Sequence, residues 1–335
     1  MKSVTATWTI NRQPGNSPST FCRGSGPAKV RYNDSDTVTW LPVLAGLKPG
    51  AYIAEPGLLQ TPAILFCDVD GLVPVRGKMA LGFDDFIAAL EHAAIPNVWV
   101  TTRTRLQIDD PRRKLGHNNP FIAEGGCGVY LPEGYFHLRP AKTLRLGRFT
   151  CLPIAEPQPA AEEALEELSA ETGVSVVPLR SLSPRELAQN SGLPVAQAEL
   201  MRQPDFDEIF FFAGATEDEV KRFAAASAER HWQLRQRGVL WSLAVGASLK
   251  QCVRELSKLY ARALRSQPKI IGISRDDGDS ELLSACDRGF VLVGGTARAE
   301  DSESQRERLP ARFRQLELGS PDVWERIIEA VTVKS

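Results

Sequence analysis

The chain has 335 residues, 43% hydrophobic and 24% charged, with a formal net charge of -1. This is ordinary globular composition, long enough for one large domain or two linked ones, and it carries no charge excess to attract nucleic acid or an anionic membrane. No apolar run approaches the roughly 20 residues that span a bilayer, and the polar start lacks a hydrophobic signal core, so a cytoplasmic protein is expected.

Residues 1–60 are rich in Pro, Gly, Ser and Thr and read as an N-terminal extension. Strand-like pieces at 5–10 and 37–41 are separated by turn formers. A regular βα pattern begins at Ala63. Ile64-Leu65-Phe66-Cys67 is a continuous apolar run ending in Asp68, as expected of a strand buried on both faces. Residues 83–94 have helical periodicity, with Phe83, Phe86, Ile87 and Leu90 on one face, until Pro96 breaks it. Apolar strands follow at 98–100, ending in Thr101-Thr102, and at 121–123, closed by Glu124-Gly125-Gly126. The stretch from Asp109-Asp110 to Arg112-Arg113-Lys114 reads as a mixed, solvated loop.

From about 146 to 245 the pattern changes. It gives a helix at 160–172, a strand at 174–177, a short helix from Ser183 and a strand at 208–212. Thr216 and Glu219 form a capping box that opens a helix expected to run to Arg235, before a strand at 239–245. This insert has the size of a small α/β domain. The first pattern then resumes with a helix at 249–264, strands at 269–273 and 290–293, and a last helix at 321–331 capped by Ser320. The expected division is therefore an extension at 1–60, an α/β core at 61–145 and 246–335, and an inserted α/β unit at 146–245. An open parallel sheet binds ligands at the carboxyl ends of its strands, so Asp68, Thr101, Glu124 and the segment 274–279 should meet in one crevice.

The six cysteines, Cys22, Cys67, Cys127, Cys151, Cys252 and Cys286, are scattered without a C-x-x-C pair. That argues against zinc and against a disulfide framework. The four histidines have neither metal-ligand nor triad spacing.

Asp68-Val69-Asp70-Gly71 is the sharpest chemical signal. Two carboxylates separated by one residue suit phosphoryl transfer. Asp68 can attack phosphorus to form an aspartyl-phosphate. Asp70 can protonate the leaving oxygen and then activate water. A hard cation would screen the repulsion between carboxylate and phosphate oxygens. The competing reading is a solvated turn after a strand.

The runs FCDVDG, VWVTTRTR, FIAEGG and ISRDDGDSELLSACD, in that order, resemble the motifs of the haloacid-dehalogenase (HAD) superfamily. Their order and spacing, with SGLPVAQAELMRQPDFDE in the insert, are similar to the mannosyl-3-phosphoglycerate phosphatase family over roughly residues 62–300. The resemblance implies a Rossmann-like parallel sheet core with an inserted α/β cap. It further implies Mg2+ as cofactor and a small phosphorylated sugar or sugar-glycerate as substrate.

On that resemblance Asp68 is the nucleophile and Asp70 the general acid/base. Thr101, Thr102, Arg103, Lys250, Arg202, Glu124 and Gly125 bind phosphate or substrate, and Asp68, Asp70, Asp276 and Asp279 hold the metal. Thr101 has a second reading as the cap of the following helix, and Arg103 and Arg202 as solvated surface charges.

The sequence departs from the family at three places. Leu72 follows Gly71 where the family has threonine, Leu249 stands at the lysine of the third motif with Lys250 one residue late, and Arg275 replaces the first acid of the fourth motif. These departures support a rival reading, a catalytically weakened relative that binds a phosphorylated metabolite or a protein partner.

Overall fold

The structure is a computed structural model that describes residues 62–75, 77–137, 140–275, 280–294 and 312–332. The expected N-terminal extension, and Asp276 and Asp279, lie outside the described residues. All described residues fall in one compact unit spanning 50–335.

Among the described residues two sheets form. The larger is built from β1 (Ala63–Asp68), β2 (Asn97–Val100), β3 (Phe121–Ala123), β4 (Gly128–Pro132), β5 (Leu144–Leu146), β6 (Phe149–Pro153), β11 (Lys269–Arg275), β12 (Arg288–Val293) and β13 (Phe313–Glu317), in the order β13-β12-β11-β1-β2-β3-β4-β6-β5. From β13 to β3 every pairing is parallel, and from β3 to β5 every pairing is antiparallel. The smaller sheet holds β7 (Val176–Pro178), β8 (Glu208–Phe212), β9 (Trp232–Arg237) and β10 (Leu240–Val245), in the order β7-β8-β10-β9 and antiparallel throughout.

The strand β1 is central because it is apolar on both sides. Successive strand side chains point to opposite faces. Leu65 and Cys67 therefore enter the core on one face, with Phe83, Phe86 and Ile87 of α1 (Phe83–His92) and Trp324 and Ile327 of α9 (Val323–Thr332). Ile64 and Phe66 enter the core on the other face, with Cys252, Val253 and Leu256 of α7 (Leu249–Leu264) and Leu282 of α8 (Ser280–Ser284). Each Leu, Ile, Val or Phe among them, fully buried, contributes about 1.5–3 kcal/mol. The register Cys67↔Ile273 and Asp68↔Val100 then sets the ends of β1, β2 and β11 side by side.

The inserted sheet is covered by α3 (Gln158–Thr172) and α6 (Glu217–Glu229), whose Leu165, Leu168 and Phe223 pack with Phe210 and Leu243. On its other side α4 (Pro184–Ser191) and α5 (Val195–Met201) bring Leu187, Ala198 and Met201 against Ile209 and Leu240.

Several expectations are corrected. The helix opened by the Thr216 box stops at Glu229 rather than reaching Arg235, and residues 232–237 are strand β9. His231 takes φ 57 and breaks the helix, after which Trp232 and Leu234 turn together onto the insert's core. The charged stretch after Thr104 is a helix, α2 (Arg105–Lys114), closed at its start by a Thr104–Gln107 capping box. Its Arg112 is 1% exposed. The guanidinium of Arg112 lies 4.0 Å from the Phe121 ring centroid and donates to the Asn119 carbonyl at 2.6 Å and to His117 Nδ1 at 3.1 Å. Strands β4, β5, β6, β9 and β13 had no counterpart in the sequence reading. The last helix begins at Val323, two residues after Pro321.

The five described cysteines are buried thiols, Cys67 among them at 0% exposure. No described helix is long and apolar enough to cross a membrane.

The burial of His117 yields a measurable consequence. Desolvation, with the neighbouring Arg112 cation, holds its ring well below the ordinary histidine range. With the folded value depressed, its contribution to stability is present above the unfolded value of about 6.5 and is lost as pH falls below it. The His117 ring resonances should therefore stay fixed from about pH 8 to about pH 6. A titration with an ordinary midpoint would contradict the packing.

Candidate active site

At the tip of β1 the chain turns sharply after Asp68. The backbone N–H of Asp70 donates to Asp68 Oδ1 at 3.1 Å, and Leu72 and Val73 N–H both return to the Val69 carbonyl, at 3.1 and 2.9 Å. Leu72 is fully buried in the core beside α1. The loop is thus pinned by hydrophobic burial at the position where a threonine would pin it by a hydroxyl.

The Asp70 carboxylate reaches across to the end of β2. It accepts from the Thr101 hydroxyl, from the Thr102 N–H at 2.7 Å and hydroxyl at 2.6 Å, and from Arg103 Nε at 3.1 Å. Arg103 is held in place by Val69: its Nη2 donates to that carbonyl at 3.4 Å. The Arg103 side chain is 9% exposed and that of Asp70 29%. Burial would push the Asp70 carboxyl up, but the Arg103 guanidinium and the hydrogen bonds from Thr101 and Thr102 outweigh it and hold the group below its usual range. Asp70 is therefore ionised at neutral pH. Thr101 does not cap the following helix; Thr104 does.

The turn after β3 follows. Glu124 takes φ 53 and is 1% exposed. Its carboxyl accepts the backbone N–H groups of Asp205 at 3.0 Å, Phe206 at 2.8 Å and Asp207 at 3.1 Å. This ties the core to the segment that leads from α5 into β8. Burial pushes the Glu124 carboxyl up to about 8, and the adjacent Asp207 carboxylate adds to that push against the amide donors. Gly125, at φ 63, gives Arg235 of the inserted sheet room to lie on the turn; a Cβ there would sit 2.9 Å from Arg235 Nε. Gly126, at φ 101, lets the start of α7 approach, since a Cβ would stand 2.6 Å from the Leu249 nitrogen.

The remaining sequence candidates are placed differently. Leu249 is 1% exposed at the start of α7, whereas the Lys250 residue is exposed and its backbone N–H donates to Glu281 Oε1 at 3.0 Å. Glu281 also accepts from Ser248 Oγ at 3.1 Å and pairs with Arg235 at 3.2 Å. Arg202 donates to the Arg180 carbonyl at 3.0 Å and lines a cavity of about 140 Å³ in the insert with Gln158, Arg180 and Glu208. Arg275 lays its stem on the first loop: a Cβ on Gly71 would stand 2.0 Å from its Cδ.

The structure thus gathers Asp68, Asp70, Thr101, Thr102 and Arg103 in one cluster, sets Glu124 and Gly125 at its edge, and places Arg202 within the insert. Sequence reasoning missed the ties Arg105–Asp205 (2.8 Å), Tyr130–Asp205 (2.8 Å) and Arg235–Glu281. No spacing announces them, because each joins segments at least 46 residues apart.

Among the described residues no three metal-ligating side chains come together. The register of β1 with β11 nevertheless carries Asp68 and Arg275, the residue before the acid-rich segment 276–279, to the same edge.

No family model matches the chain. A glucosyl-3-phosphoglycerate/mannosyl-3-phosphoglycerate phosphatase of Persephonella marina is 23% identical over 235 residues, covering 68% of this chain and 84% of that protein. A mannosyl-3-phosphoglycerate phosphatase of Pyrococcus furiosus is 27% identical over 212 residues, covering 62% and 81%. The solved structure of a HAD subclass IIB sugar phosphatase superposes with TM-score 0.53 at 15% identity, covering 81% of this chain and all of that one. The parallel sheet, with Asp68 at the tip of its central strand, is that of the HAD fold, and in sequence the chain resembles the glucosyl- and mannosyl-3-phosphoglycerate phosphatases.

Proposed function

We infer that the protein is a phosphatase acting on a phosphorylated sugar or sugar-glycerate, of the mannosyl-3-phosphoglycerate kind, in the cytoplasm. One observation carries this reading. Two carboxylates and a set of hydroxyl, amide and guanidinium donors meet at the tips of two adjacent parallel strands. Relatives named as phosphatases of sugar phosphoglycerates add to it.

In this reading Asp68 attacks phosphorus and the ester oxygen leaves, giving an aspartyl-phosphate. The hydroxyl of Thr101, the N–H of Thr102 and Arg103 face the equatorial oxygens and offset their charge. Asp70 supplies the proton to the leaving oxygen and later takes one from water. As it stands it is ionised and hydrogen-bonded, which suits the second task; for the first it must take up a proton after the substrate arrives. Magnesium, which the resemblance implies, would be held by Asp68 with Asp276 and Asp279, and would screen carboxylate from phosphate. The insert, expected at 146–245 but starting only after β6, which belongs to the larger sheet, would run from α3 to β10 and act as a cap over the crevice, choosing the sugar and excluding water. Its approach at Arg235 to Gly125 supports that role.

A second reading is favoured by two placements: a buried Leu249 where the family has its lysine, and Arg275 on the first loop. A protein without turnover would then hold a phosphorylated ligand in the same cluster.

Two measurements decide between them. A panel of sugar phosphates, assayed for phosphate release with magnesium, should show turnover that disappears with chelator and in Asp68→Asn. Activity equal in the variant would remove the nucleophile from the scheme, and no activity in either would favour the binding protein. Thr101→Val, which keeps shape and deletes one donor, should lower kcat by about 10²-fold, as loss of a charge-stabilising donor does elsewhere. An unchanged kcat would take Thr101 out of the reaction.

A further inference from the structure

We propose that the Asp70 carboxylate is a built-in occupant of the phosphoryl cradle, and that a phosphoryl group enters only by displacing it. The proposal rests on the reading of Thr101, Thr102 and Arg103 as that cradle. These residues offer the Thr101 hydroxyl, the Thr102 N–H and hydroxyl, and Arg103 Nε, and all four donors converge on the two oxygens of one carboxylate. Backbone N–H, hydroxyl and guanidinium groups arranged this way favour any compact oxyanion. A phosphoryl group and a carboxylate cannot share them, because both are anionic and these four donors are already taken by the carboxylate.

The cradle is otherwise fixed. Thr101 N–H is bound to Ile122 and its carbonyl to Gly125 N–H, each at 3.0 Å, while Arg103 is anchored on Val69. The Asp70 side chain is the part that can leave. It is 29% exposed, and only its backbone N–H is tied to Asp68. Rotation about its side-chain bonds carries the carboxylate toward solvent without moving the strand. Seated, it balances Arg103 when no ligand is present; displaced, it stands beside the incoming group, where a proton donor is needed. The energy of its seating is therefore subtracted from the affinity for phosphate.

The test is calorimetric titration of the full chain with inorganic phosphate in chelator, so that no divalent cation takes part. If the cradle is vacant about a tenth of the time, Asp70→Ala should bind phosphate about tenfold more tightly than the wild type. Asp68→Asn, which removes an equal charge two residues away, should gain clearly less. Without phosphate, Asp70→Ala should melt below the wild type, and phosphate should raise its melting temperature more than it raises that of the wild type. Asp70→Asn, which keeps the shape and loses the charge, should shift affinity in the same direction and serves if the alanine variant folds poorly.

Equal gains in Asp70→Ala and Asp68→Asn, or no gain in either Asp70 variant, would overturn the proposal while leaving the cradle a phosphate site. Absence of phosphate binding in every variant would overturn both the proposal and the reading on which it rests.

Discussion

The site depends on how one buried strand ends. β1 is apolar on both faces, so it lies at the centre of the sheet with no freedom to shift register without exposing part of its core. Its last residue, Asp68, is therefore delivered to a fixed point between the ends of β2 and β11. The turn that follows places a second carboxylate against the donors of β2. A partly buried carboxylate is costly unless neutralised and hydrogen-bonded, and the Thr101–Arg103 segment does both for Asp70.

The same economy governs the junction with the insert. Glu124 is almost fully buried, and three backbone N–H groups of 205–207 converge on its carboxyl. Nearby, Arg105 holds Asp205 through two nitrogens, at 2.8 and 3.1 Å, and Arg237 pairs with the buried Asp207. These contacts fix the start of β8 relative to the turn after β3. Truncating one partner would leave a charge or amide unsatisfied, at a cost of roughly 3–5 kcal/mol for a buried ion pair. The segment resembling the family's insert motif is, in this structure, one of the ties between the inserted sheet and the core, beside the contacts of Arg235 with Gly125 and Glu281.

The three departures from the family pattern each have a physical outcome. Leu72 replaces a polar turn residue and is absorbed into the core, so the loop keeps its anchor. Leu249 is buried at the start of α7, and the neighbouring Lys250 is exposed with its backbone N–H on Glu281. Arg275 uses the absence of a side chain at Gly71 to lie on the first loop and adds a cation to a region with two carboxylates.

The apolar runs, their lengths and their polar ends pointed to a parallel α/β sheet with Asp68 at a strand tip, because burial on two faces leaves a one-dimensional signature; the antiparallel strands β4, β5 and β6 left no such mark. The sequence alone did not determine strands such as β9, where a helix-breaking His231 and the packing of Trp232 override the pattern. Nor did it reveal α2, whose Arg112 is buried on an aromatic ring rather than solvated. Only the tertiary structure decided that Asp70 turns to the donors of β2, that Glu124 binds backbone amides of the insert, and that Arg202 faces Arg180. The physical reason is common to all three: a polar side chain takes the partners that folding brings within reach, and those partners lie far away in the chain.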